Sequence, residues 1–90
     1  MTVLRDLLEL VGNKEMVDIC IYDPENPEVP KTLYYGTALA AYARRDTLRE
    51  VWTRKVRQIY TYIDNPNNEE KGYSVLMIKL RSNDEPDKIE

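Results

Sequence analysis

Ninety residues with 42% apolar content suit one small domain with a modest core, and are too apolar for a disordered chain. The chain has no His and one Cys, which removes Ser-His-Asp and Cys-His pairs, the usual nitrogen ligand of zinc, and any internal disulfide. The net charge of −3 is uneven: residues 1–40 carry three positive and seven negative side chains, residues 41–60 six and two, and residues 61–90 four and seven.

In chain order, "TVLRDLLELVG" predicts a short helix. Thr2 stands as its N-cap, Leu4, Leu7, Leu8 and Val11 recur at helical spacing, and Gly12 follows at C′. Arg5, Asp6 and Glu9 interrupt the apolar run, so it does not read as a secretory signal. "EMVDICIYD" alternates Val17, Ile19 and Ile21 against Asp18, Cys20 and Tyr22, the pattern of a half-buried strand. "PENPEVP" holds three prolines and must be a loop. "KTLYYG" is then the second arm of a long-looped hairpin.

Thr37 is placed to cap a second helix, with Leu39, Tyr42 and Ala43 as its inner face. From there, either one helix runs from about Ala38 to Trp52, or two short ones meet near Arg45, with Asp46 as a second N-cap. "KVRQIYTYI" and "YSVLMIKL" are the clearest strands, joined by the polar loop "DNPNNEEKG". Leu76, Ile78 and Leu80 share one face, with Ile59 and Ile63 matching them; Tyr73, Val75 and Met77 share the other. Val56 has the wrong parity for Ile59, so a bulge or a later strand start is required between them.

The predicted fold is α+β: a four-stranded, mainly antiparallel sheet with one or two helices on one face. Its core would take in Leu4, Leu7, Leu8, Val17, Ile19, Ile21, Leu39, Ile59, Leu76 and Ile78. Residues 1–82 read as a single domain and 83–90 as a flexible charged tail. No apolar run approaches the ~20 residues needed to span a bilayer, and one cysteine fits a reducing compartment, so a cytoplasmic protein with no membrane contact is expected.

Two features invite a functional reading. "RRDTLREVWTRKVR", residues 44–57, gathers six of the thirteen Lys and Arg with the only Trp. Arg45, Arg49 and Trp52 are its candidate contact residues, facing either phosphate or an acidic protein surface. The plainer reading is a solvated face whose arginines pair with the chain's own carboxylates. The second feature is seven Tyr with no Phe. Tyr22, Tyr60, Tyr62 and Tyr73 have parity opposite to the apolar face, so they would tile the outer face of the sheet as a docking surface. Tyr60, Tyr62 and Tyr73 are the chosen contact residues, against the alternative that they only stabilise cross-strand packing. The acidic loops lack the EF-hand pattern, and Cys20 has no basic neighbour in sequence. No catalytic, cofactor-binding or metal-binding residue is assigned, and the chain is not expected to be an enzyme.

The "TV..LL.LV" helix, "V.I.IYD" strand, "LYYG" arm, "KV..I" strand and final "VLMIKL" strand resemble small uncharacterised proteins of bacteriophages and other mobile elements of Gram-positive bacteria. The likeness lies in residues 2–22, 33–36 and 55–80 and is carried by hydrophobic pattern. It implies no catalytic residue to transfer. It does imply a setting in which proteins of this size bind and block host defence machinery, CRISPR–Cas effectors included. The expected function is therefore a non-catalytic interaction protein that occupies a protein partner, such as a host defence complex, or a second copy of itself as a homodimer. The alternative is a regulatory nucleic-acid binder using residues 44–57, less favoured in an acidic chain.

Overall fold

The computed structural model describes residues 2–44, 46–65, 72–83 and 85. The elements run α1 (Leu4–Leu10), β1 (Met16–Ile21), β2 (Lys31–Thr37), α2 (Ala38–Ala43), β3 (Val56–Asp64) and β4 (Tyr73–Leu80). The strands form one sheet in the order β2-β1-β4-β3. β1 pairs antiparallel with β2, β4 pairs antiparallel with β3, and the two hairpins join through parallel β1 and β4. The fold is thus α+β with a mixed, mostly antiparallel sheet.

The core lies on one face of that sheet. Val17 and Ile19 of β1 and Ile78 and Leu80 of β4 cluster with Leu4 and Leu8 of α1, Ala38 and Ala41 of α2, and Leu48. A seven-residue helix such as α1 is not stable alone, and the buried Leu4–Leu8 stripe is what holds it.

Thr2 does not cap α1. The N-cap residue is Val3, and no side chain caps the helix. Its first N–H groups are satisfied tertiarily: Leu4 donates to the Arg54 carbonyl and Arg5 to that of Trp52, both at 3.0 Å. Thr37 does cap α2, its hydroxyl accepting from the Ala40 N–H at 3.2 Å.

The inner face of α2 is rotated from the predicted one. Ala38 and Ala41 are buried, Tyr42 is half-buried, and Leu39 and Ala43 are exposed. Alanine at i and i+3 lets this short helix lie close to the sheet, where a leucine would hold it off. α2 ends at Ala43, and among the described residues neither the long helix nor a second short one follows. The described residues from Asp46 to Thr53 form successive turns, with Val51 N–H bonded to the Leu48 carbonyl and Arg54 N–H to that of Val51. The turns drive Leu48 fully into the core and bring Val51 and Trp52 against it.

The bulge required between Val56 and Ile59 is present. Val56 pairs with Leu80 and Gln58 with Lys79, which leaves Arg57 as the extra residue. A second irregularity between Ile19 and Cys20 moves the partner from Tyr34 to Thr32 and leaves Leu33 unpaired. Ile59 and Ile63, matched to the core face by parity, are instead exposed.

Candidate interaction surface

β1 is buried on both faces, not half-buried: Val17, Asp18, Ile19 and Cys20 all lie out of solvent. The reason is the second face of the sheet. Cross-strand register places Asp18, Cys20, Val75 and Met77 there with Tyr35, Tyr60, Tyr62, Asp64 and Tyr73. Val75 and Cys20 are fully buried without belonging to the main core, so the tyrosines roof a small second apolar layer.

The roof is held by hydroxyl–carboxylate bonds. Tyr62 on β3 donates to Asp18 Oδ2 at 3.0 Å, and Thr32 on β2 donates to Asp18 Oδ1 at 3.3 Å. Both oxygens of a buried carboxylate are thereby satisfied, which a charge out of water requires. At the other end, Tyr35 on β2 and Tyr73 on β4 both donate to Asp64 Oδ2 on β3, and their hydroxyls stand 3.0 Å apart. β2 and β3 are the two edge strands, three strand spacings or roughly 14 Å apart on a flat sheet. Their side chains meet because the twist of the sheet curls this face inward.

The network raises the pKa values of Tyr62 and Tyr35. Burial, then the bond to Asp18, pushes Tyr62 up to about 12. Tyr35 also rises, chiefly through its bond to Asp64. The Cys20 thiol is pushed up to about 11 by burial and by Asp18, with Lys79 opposing, and its Sγ lies 3.7 Å from the Ile78 carbonyl oxygen. That is an inert thiol.

Of the tyrosines chosen from sequence, Tyr60 and Tyr73 are 41% and 39% exposed, while Tyr62 is half-buried with its hydroxyl spent on Asp18. Tyr22 lies beyond the end of β1 and lines a cleft. Strand alternation does not mark Tyr35, yet it is 40% exposed and joins the network at both Asp64 and Tyr73. Its outer-face position follows from the Leu33 irregularity. Without it, Leu33 and Tyr35 would share a face.

The basic band is dispersed. Arg57 forms an ion pair with Glu85 at 3.5 Å, and Glu85 also binds Lys79 at 2.9 Å. Arg54 donates from Nη1 to the Arg81 carbonyl at 3.2 Å. Trp52 packs edge-on to Tyr42, ring centroids 5.7 Å apart, against the core. Arg44 and Arg49 are exposed, and Arg45 lies outside the described residues. So do residues 66–71 of the second acidic loop and residues 84 and 86–90 of the predicted tail. An open cleft of about 720 Å³ beside Arg54 mixes Lys31 with Asp23 and Glu25, so it favours no single ligand charge. No helix among the described residues is long and apolar enough to cross a membrane.

Fold and surface together define a small α+β protein whose curled sheet carries a roof of cross-linked tyrosines. Compared with family models, with curated proteins and with solved structures, the chain matches none.

Proposed function

We propose that this is a non-catalytic interaction protein that works by occupying a protein partner through the tyrosine roof. The supporting observation is the pre-organisation of Tyr35 and Tyr73 by Asp64, with Tyr60 exposed on the same face. Tyrosines fixed before binding lose little rotamer freedom on docking, and offer large apolar area with a polar tip. The resemblance to mobile-element proteins extends the proposal to a partner in host defence. An acidic body of net charge −3 fits a nucleic-acid channel, where its carboxylates would stand in for phosphates.

The experiment uses Tyr60→Asp, because Tyr60 is exposed and no hydrogen bond of its side chain is seen among the described residues. The wild type is expected to block target-DNA binding by a CRISPR effector of a Gram-positive host, and Tyr60→Asp to lose that block at an unchanged melting temperature. Equal potency of the two proteins would exclude the tyrosine roof as the docking surface. Failure of the wild type against such effectors would remove the host-defence partner.

A further inference from the structure

β3 is an edge strand, and the sequence of its outer stretch is unusual. From Gln58 to Ile63 it reads "QIYTYI", five of the six residues having strong strand preference, with no charge, Pro or Gly. Edge strands ordinarily carry a charge, a bulge or a covering segment that blocks further pairing. Among the described residues, β3 has a covering segment and a bulge at its beginning and a charge, Asp64, at its end, and none of these devices in between. Thr2 and Val3 cover the strand's beginning, with Val56 N–H donating to the Thr2 carbonyl and Val3 bridging Lys55, and the Arg57 bulge follows. Beyond it, no described segment pairs with the outer side of β3. The opposite edge, β2, is guarded by Lys31 and its own irregularity at Leu33.

Both faces of this free stretch expose apolar surface. Ile59 and Ile63 are 46% and 69% exposed on the core side, beyond the cover of the helices, and Tyr60 is exposed on the roof side. We infer that a second copy of this chain adds to this edge, β3 against β3 antiparallel, about a two-fold axis through Thr61. This stands on the edge alone and does not depend on the partner proposed above.

The strand pattern selects that occupant. An antiparallel pair about Thr61 sets Ile59 opposite Ile63 of the partner subunit, and Tyr60 opposite Tyr62 of the partner subunit. Apolar pairs then meet on one face and aromatic pairs on the other. Asp64 falls opposite the partner's Gln58, so no like charges face each other within the paired stretch. A register shifted by one residue would set isoleucines against tyrosines and turn the two helical layers to opposite sides. The result is one eight-stranded sheet with two tyrosine roofs on the same side.

Sedimentation of the purified chain should show a reversible monomer–dimer equilibrium over the micromolar range. Ile63→Lys should raise its dissociation constant by about tenfold or more, because both protomers carry the lesion. Since Ile63 is exposed, this variant is expected to keep the wild-type melting temperature at concentrations below the dimer's dissociation constant, where association does not stabilise the wild type. A short bis-maleimide should cross-link Thr61→Cys into dimers far more efficiently than Thr53→Cys, which lies in an exposed turn, while buried Cys20 stays unreactive. A wild type that stays monomeric throughout would overturn the inference. So would a dimer indifferent to Ile63→Lys, or one in which Thr61→Cys links no better than Thr53→Cys.

Discussion

The Tyr62 hydroxyl reaches over β4 to Asp18 on β1, 3.0 Å from Oδ2, and ties a partly covered tyrosine to a buried carboxylate. Around this bond the second face of the sheet becomes a packed layer. Tyr62→Phe would leave one oxygen of Asp18 without its donor. We expect a loss of about 1–3 kcal/mol, the cost of an unsatisfied buried acceptor. In a domain of this size the melting temperature would fall by several degrees, about 4–8 °C per kcal/mol. A double-mutant cycle with Asp18→Asn should show coupling of about 0.5 kcal/mol or more; additive effects would mean the bond contributes nothing.

Alkaline pH tests the same network. Tyr62 has a folded pKa near 12, raised above the ~10 of an unfolded tyrosine. Its stabilising contribution is therefore complete below about pH 10 and is lost as pH climbs through 12. Tyr35 shifts in the same direction, but its exposure screens the effect. Denaturant midpoints should fall between pH 10 and 12, more steeply for the wild type than for Tyr62→Phe. Parallel curves for the two proteins would show that Tyr62 does not carry the effect.

Gly36 makes room for Tyr34. A Cβ there would stand 2.5 Å from the Tyr34 hydroxyl, which donates to the Thr37 carbonyl at 2.7 Å. Gly36→Ala is expected to displace the ring and cost about 1–2 kcal/mol through the lost hydrogen bond. In a Tyr34→Phe background, where that hydroxyl is gone, Gly36→Ala should cost less. Equal cost in both backgrounds would place the strain elsewhere.

Leu48 anchors the turns between α2 and β3. Leu48→Ala should destabilise by about 2–5 kcal/mol, whereas Arg49→Ala, one residue on and exposed, should stay within about 0.5 kcal/mol. Chemical denaturation measures both. Comparable effects at the two positions would mean that the segment is not held through Leu48.

The arginines should bind nucleic acid weakly. Arg57 pairs with Glu85 and Arg54 with a carbonyl, so no continuous phosphate track forms from the described members of the band. No gel shift of duplex or single-stranded nucleic acid is expected at low-micromolar protein and near-physiological salt. Tight binding would reverse this choice if Arg49→Glu abolished it and the slope of log affinity against log salt reached about −0.9 per phosphate contacted.

Period-two alternation is a local property, and it was enough to place the outer-face side chains of β4 and of the far half of β3. It also exposed the clash between Val56 and Ile59, which the bulge at Arg57 resolves. Likewise, Thr37 before an alanine-rich run marked a capped helix start. The rest depended on residues far apart in the chain. No parity conflict in "KTLYYG" announces the irregularity at Leu33, because it answers to β1, and so alternation alone does not put Tyr35 on the outer face. Hydrophobicity favoured Leu39 as the inner residue of α2, while close approach to the sheet selected Ala38 and Ala41. The carbonyls of Trp52 and Arg54 replaced Thr2 as the cap of α1, a bond that exists only once the two segments have met. Asp18 reads as an ordinary surface charge in sequence. It is buried because β1 became a central strand and because sheet twist carried Tyr62 over it, and both are consequences of strand order, which alternation along a single strand does not encode.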